Sequence, residues 1–275
     1  MRGMHCMPRT SALGGDSRML LALDLGNTNL TCGVFAQGRL RLRARLSTRR
    51  DGTSDEWGVL IAQQLAQRGV GPADITGAIL ASVVPPATSA VIAGVREFLG
   101  VVPILVDQSL DTGLEVAYEH PEELGADRLV NAVGALCELR PPIIIVDFGT
   151  ATTFDAIDRL GRYLGGAIAP GISVSADALF QRAALLHRVP LQPPERAIGR
   201  TTEESLQSGI VLGFAGQVDA LVRRMQRELG GAEVVATGGL AELIAPHTET
   251  VRRIDQDLTL RGLLQLHKRA TEVAR

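Results

Sequence analysis

Asp24-Leu25-Gly26-Asn27-Thr28 and Asp147-Phe148-Gly149-Thr150-Ala151 are two copies of one short signature. Each ends an apolar run, Met19 to Leu25 and Ile143 to Phe148, of the length of a buried strand, and each leads into a second β-rich stretch. A strand ending in Asp, then Gly and a small hydroxyl residue, gathers a carboxylate, pliant backbone N–H groups and a hydroxyl at one turn. Those groups hold a metal-bound polyphosphate, so the pattern points to nucleotide chemistry on a duplicated chain.

Outward from the first copy, Leu30 to Phe35 and Arg39 to Leu46 alternate around Gln37-Gly38, as a hairpin should. A helix is expected from Ser54 to Arg68, capped by Ser54 or Asp55 and ended by Gly69. A strand from Ile75 to Val83, a helix from Pro86 to Leu99 and a strand from Val102 to Val106 complete the order βββαβαβ. The second copy opens the same way: Ile143 to Phe148, Thr152 to Ile157, then Tyr163 to Ile168. Helices from Ser173 to Leu186 and Thr202 to Leu229, strands at Glu233 to Ala236 and Val251 to Ile254, and a closing helix from Leu258 to Glu272 follow. Strands alternating with helices in each half imply two α/β lobes with mixed sheets and a cleft between them. The expected division is an N-terminal lobe over residues 19–120 and a C-terminal lobe over 121–275 that includes a helix at 124–138. Residues 1–18 are polar and irregular, without the apolar stretch of a secretory signal, and are expected to be a disordered extension with Met19 as the functional start.

Composition narrows the chemistry. With 275 residues, 45% of them hydrophobic, the chain can build sizeable cores, and its net charge of −2 gives no electrostatic footprint for nucleic acid. No uninterrupted apolar run reaches the roughly 20 residues of a membrane span, so neither nucleic acid nor membrane is an expected partner. Cys6, Cys32 and Cys137 are odd in number and lack metal-ligand spacing, which reads as reduced thiols in a cytoplasmic protein. Lys268 is the only lysine. The P-loop and the protein-kinase fold both place a lysine on the nucleotide phosphates, so neither is expected here. Phosphate charge must be offset by metal ions, backbone amides and arginines.

Two further stretches carry chemistry. Thr237-Gly238-Gly239 follows a strand and precedes a helix, where adjacent glycines let a flat base approach the backbone. Gly125-Ala126-Asp127-Arg128 opens the middle helix. Asp127 there can take a proton from a substrate hydroxyl while Arg128 holds an anionic substrate group, or the pair can be an acidic first turn beside a solvated arginine. Position alone leaves both readings open.

These four motifs, in this order and at these intervals, closely resemble type III pantothenate kinases, of the acetate and sugar kinase, Hsp70 and actin superfamily. The resemblance runs from Met19 to about Leu266. It implies two RNase H-like βββαβαβ lobes in an actin-like ATPase fold, and ATP-dependent phosphorylation of pantothenate to 4′-phosphopantothenate, the first step of coenzyme A synthesis. It implies that Asp24, Leu25, Gly26, Asn27, Thr28, Asn29, Leu30 and Thr31, with Thr150, bind ATP phosphates, and that Thr237, Gly238 and Gly239 face the adenosine. Asp147 would coordinate a monovalent cation, K+ or NH4+, beside Mg2+. Asp127 would be the base, with Tyr118, Gly125, Ala126, Asp127 and Arg128 lining the pantothenate pocket. Thr202 would reach that pocket from the partner subunit of a homodimer. A kinase for another small hydroxylated acid or sugar, and a non-catalytic nucleotide-binding regulator, are the competing readings of the same fold.

Overall fold

The computed structural model describes residues 18–273; the expected N-terminal extension, Arg18 apart, lies outside them. Two five-stranded sheets carry the fold. The first contains β1 (Met19–Leu25), β2 (Asn29–Ala36), β3 (Arg39–Ser47), β4 (Ile75–Ser82) and β5 (Pro103–Leu105), in the order β3-β2-β1-β4-β5. The second contains β6 (Ile143–Phe148), β7 (Ala151–Ile157), β8 (Tyr163–Pro170), β9 (Glu233–Thr237) and β10 (Arg253–Ile254). Read from its β8 edge, its order is β8-β7-β6-β9-β10, the same series again. In both sheets the first three strands pair antiparallel and the remaining pairings are parallel. The two signatures therefore mark a repeated topology.

Local chemistry sets the elements. At the first hairpin Gln37 (φ 51°) and Gly38 (φ 76°) both take the left-handed conformation that a two-residue turn between twisted strands requires. Helix α1 (Ser54–Ala66) is capped by Thr53, not by Ser54 or Asp55. Thr53 Oγ1 accepts the Glu56 amide at 3.3 Å while the Glu56 carboxylate accepts the Thr53 amide at 2.8 Å. Only Thr53 stands three residues ahead of a glutamate, so only it can close this reciprocal pair. Helix α2 (Pro85–Leu99) ends on Gly100 in the left-handed conformation. Helix α3 (Ala126–Glu138) starts two residues later than expected, because Pro121–Glu123 form a separate 3₁₀ turn ahead of it.

Helices α4 (Ile172–Arg182), α5 (Thr202–Leu229), α6 (Ala241–Ile244) and α7 (Leu258–Val273) complete the chain. Among the described residues α5 is the one helix long and apolar enough to cross a bilayer. Here its Val211, Val218 and Val222 are buried in a protein core.

Four clusters of buried side chains show how the layers stack. Trp57, Ile61 and Leu65 of α1 and Val91 and Val95 of α2 pack on one face of the first sheet. Its other face receives Val130 and Val133 of α3 and Leu260, Leu263 and Leu264 of α7. The second sheet buries one face under α4, α5 and α6, and its other face against Ala132 and Ala135 of α3 and Leu258 of α7. The α3–α7 pair is thus the layer shared by both sheets.

These two helices cross at glycines. A Cβ on Gly134 would collide with the Leu258 carbonyl, and one on Gly262 with the Val130 carbonyl. Gly262→Ala should therefore force the helices apart at a cost of about 1–3 kcal/mol. At roughly 2–4 °C per kcal/mol for a chain of this size class, a melting curve should show the loss directly. An unchanged Tm would mean that the crossing is not close-packed in solution.

Candidate active site

Strand alternation decides where the signature aspartates look. In β1, Leu21, Leu23 and Leu25 enter the core beneath α1 and α2, whereas Leu20 and Ala22 face α3 and α7. Asp24 continues the second series. In β6, Ile144, Val146 and Phe148 face α4 to α6, and Ile143 and Ile145 face α3. Asp147 continues that one. Two carboxylates thereby converge, from opposite sheets, on the first turn of α3, where Asp127 stands.

A cleft of ≈ 460 Å³ opens at this convergence. Asp24, Gly26, Asn27, Thr28, Asn29 and Thr31 line it from the first turn, Asp147, Gly149 and Thr150 from the second, and Thr237, Gly238 and Gly239 from the third, with Asp127 between them. Leu25 and Leu30 carry their side chains into the first core instead. They pair across β1 and β2 and anchor the turn from below. Each of the two phosphate-type turns is closed from its glycine amide, Gly26 N to Asn29 O at 2.9 Å and Gly149 N to the nearer Ala151 O at 3.0 Å. They also meet: Thr28 Oγ1 and Thr150 Oγ1 share a hydrogen bond of 2.8 Å across the cleft mouth. Thr48 Oγ1 steadies the first turn by donating to Gly26 O at 2.6 Å.

Gly238 has a φ of +92°, and a Cβ there would strike the Asp147 carboxylate and the Phe148 backbone. Its glycine serves the packing of β9 on β6. Gly239 is the exposed one, with Arg45 Nη1 the nearest group to its Cβ position at 3.9 Å.

Burial governs the electrostatics of the three aspartates. Asp24 is pushed up from 3.8 to about 7, first by desolvation, then by the Asp127 and Asp147 charges, with Arg45 pulling the other way. Asp147 is likewise pushed up to about 7, by desolvation and Asp127, against a hydrogen bond from Asn131. Desolvation also raises Asp127, whose Oδ1 accepts the Arg128 backbone amide at 2.8 Å. No cluster of three or more His, Cys, Asp or Glu ligands forms among the described residues. The hard oxygens here suit a cation shared between one or two carboxylates and substrate phosphates, which is how Mg2+ is usually held.

The rest of the α3 motif lies outside the cleft lining. Arg128 is buried and donates from Nε to Asp155 Oδ1 at 2.8 Å. Tyr163 OH donates to the same oxygen at 2.7 Å, and the guanidinium stands 5.8 Å from the Tyr163 ring centre. Tyr118 packs edge-on against Tyr163, with ring centres 6.3 Å apart. Gly125 provides the backbone N-cap of α3, and Ala126 begins the helix. Thr202 is exposed at the start of α5, away from the cleft of its own chain. Lys268 is exposed on α7 and does not line the cleft.

Several residues at the site escaped the sequence reading. Arg43 and Arg45 line the cleft from β3. Their signal was the alternation Arg39-Leu40-Arg41-Leu42-Arg43-Ala44-Arg45, and register completes it: Asp24 pairs with Thr31, and Thr31 with Arg45. Asn131 donates from Nδ2 to Asp147 Oδ2 at 2.9 Å and accepts from Thr259 Oγ1 at 2.7 Å. It stands four residues after Asp127, one helical turn on, which could have flagged it. Nothing local marked Thr259 or Asp155.

A profile of type III pantothenate kinases matches residues 20–224. The type III pantothenate kinase of Moorella thermoacetica is 48% identical over 254 residues, covering 92% of this chain and 100% of its own. Among solved structures, the (R)-2-hydroxyglutaryl-CoA dehydratase component A of Acidaminococcus fermentans superposes with a TM-score of 0.53 at 14% identity, over 94% of this chain and 99% of that one. A ROK hexokinase from Thermus thermophilus does so at 0.50 and 16% identity, over 93% and 99%. At these identities the solved structures speak for the two-lobed fold alone.

The raised aspartates make stability pH-dependent. Asp24 titrates near 7 folded against an ordinary 3.8, so the folded chain binds more protons between those values and loses stability as pH rises through them. Asp24→Asn removes that loss. Its Tm should exceed the parent's at pH 8, with the gap closing by pH 4; a gap of one size at both pH values would contradict the assignment.

Proposed function

The chain belongs to the type III pantothenate kinase family and catalyses ATP-dependent phosphorylation of pantothenate to 4′-phosphopantothenate, the first step of coenzyme A biosynthesis; we propose that Asp127 is its general base. The observation that carries this is the convergence of Asp24, Asp127 and Asp147 on one cleft, with Asp127 on the helix between the two phosphate-type turns. Desolvation raises its carboxyl, which makes it a stronger base for the pantothenate hydroxyl. Its Oδ1 is anchored on the Arg128 amide, so the side chain is held ready for the approaching alcohol.

Backbone amides of the two turns, with Thr28 and Thr150, hold the ATP phosphates, and Arg43 and Arg45 supply the positive charge that a P-loop lysine gives elsewhere. The adenosine lies against Gly239. Asp24 and Asp147 would hold Mg2+ and a monovalent cation, K+ or NH4+ at Asp147, which offset the charge on the phosphate oxygens. Arg128, with Tyr118, Gly125 and Ala126 around it, takes the pantothenate carboxylate. The chain's work is then mostly positioning and charge stabilisation, as in phosphoryl transfer generally. A cytoplasmic location follows from ATP as co-substrate.

The enzyme works as a two-fold dimer in which Thr202 completes the partner's pocket. Its support is exposure: Thr202 is open to solvent, and so are the apolar Ile168 of β8 and Val174 and Leu179 of α4. Val174 also lines the cleft, so this surface is continuous with the site. Mixing inactive Asp127→Asn and Thr202→Trp should restore activity through hybrid dimers; a fully active monomer by ultracentrifugation would refute sharing.

Asp127→Asn keeps the shape and loses the base, so turnover should fall about 10²- to 10⁴-fold. ATP affinity should stay within a few-fold by calorimetry, and turnover close to the parent's would remove Asp127 from the role. Activity should also depend on K+ or NH4+ and be poorly supported by Na+, with that dependence weakened in Asp147→Ala. Equal rates in sodium and potassium buffers would exclude a selective cation site.

A further inference from the structure

Arg128 and Asp155 form an ion pair buried against the second sheet, and its geometry is one-sided. Arg128 gives only Nε, at 2.8 Å, to Asp155 Oδ1. Its two η-nitrogens meet no hydrogen-bond acceptor among the described residues, although a guanidinium and a carboxylate readily form two parallel bonds. Asp155 is fully buried on β7, and its second oxygen, Oδ2, has no partner at all. An arrangement chosen for stability alone would use that oxygen, because an unmatched buried carboxylate oxygen is costly.

The surroundings show what the one-sided grip achieves. Tyr163 OH donates to the same Oδ1 at 2.7 Å, so two donors fix one oxygen and the carboxylate cannot rotate freely toward the η-nitrogens. On β8, a Cβ at Gly166 would strike the Phe154 carbonyl of β7 and come within 3.2 Å of Arg128 Nη2, and a Cβ at Gly165 would come within 3.2 Å of the Tyr118 ring. The edge strand is bare of side chains where the free end of the guanidinium and the tyrosine ring lie. Gly166 is exposed, although Arg128 beside it is buried.

We propose that Asp155 is a positioning residue for substrate selection: it holds Arg128 by Nε alone so that both η-nitrogens stay free to grip the pantothenate carboxylate, and Tyr163 locks it in that posture. The inference rests on the reading that Arg128 takes that carboxylate. Asp155 has no contact with the reacting hydroxyl, so it acts on substrate affinity and on discrimination by the acidic end, and leaves the chemical step to Asp127. The match is between a carboxylate on the substrate and a fork of two donors held flat by a buried anion.

The test compares pantothenate with its primary-alcohol analogue, in which CH2OH replaces the carboxylate, in steady-state assays of four purified full-length proteins: parent, Arg128→Gln, Asp155→Asn and Tyr163→Phe. Asp155→Asn should raise KM for pantothenate about 10- to 100-fold, as loss of an orienting partner does elsewhere. Its kcat and its KM for ATP should stay within a few-fold, and its preference for pantothenate over the alcohol should collapse toward that of Arg128→Gln. Tyr163→Phe should move the same preference in the same direction by a smaller factor, and it decides the matter if Asp155→Asn does not fold. Equal losses on both compounds in Asp155→Asn, or an unchanged preference in Tyr163→Phe when Asp155→Asn is insoluble, would overturn the proposal. If Arg128→Gln itself keeps the parent's preference, the carboxylate reading of Arg128 fails. If Arg128→Gln loses the preference and Asp155→Asn retains it, only the role of Asp155 fails.

Discussion

The crossing of α3 and α7 is the constraint on which the rest depends. Two sheets of identical strand order each present one apolar face inward, and both faces close on this single pair of helices. Gly134 and Gly262 let the helix axes approach until backbone meets backbone, so α3 has little freedom to slide or rotate. Every functional group on α3 inherits that rigidity. Helical spacing then separates the side chains: Asp127 lines the cleft, Asn131 one turn on is buried and donates to Asp147 behind it, and Arg128, the next residue after Asp127, turns toward β7 of the second sheet.

A second consequence is electrostatic. Bringing Asp24, Asp127 and Asp147 to one poorly solvated cleft raises all three, with desolvation the largest cause in each. Such a cluster opposes folding, and on β3 Arg45 counters it at Asp24 alone. On the proposed reading, the same arrangement suits the cations and the proton transfer that phosphoryl transfer needs. On that reading, stability is given up locally for a site whose charge balance its substrates and cations would complete.

The buried part of the motif follows a different logic. Arg128 and Asp155 sit in apolar surroundings between Tyr163 and the glycines of β8, where attraction between charges is strong and a misplaced donor is costly. Asp127 stands at the cleft and Arg128 lies one layer deeper, although they are neighbours in sequence. On the proposed reading, a single helix turn would serve both the reacting hydroxyl and the opposite end of the substrate.

By itself the sequence determined the repeated βββαβαβ order, the ends of β1 and β6 as sites for aspartate, and the four motifs that carry the family. Those follow from local rules: period-two burial, turn chemistry and the spacing of short segments. It also held, unread, the arginine alternation of β3. Tertiary structure alone decided that Leu25 and Leu30 anchor the first turn from the core, that Gly238 is a packing glycine of β6 and β9, and that Thr202 stands outside its own chain's cleft. It alone joined Thr259 to Asn131, 128 positions apart, and through Asn131 to Asp147. Periodicity assigns a side chain to a face of its own element. Which distant group meets it there depends on how two sheets and one helix pair pack, and no local pattern encodes that partner.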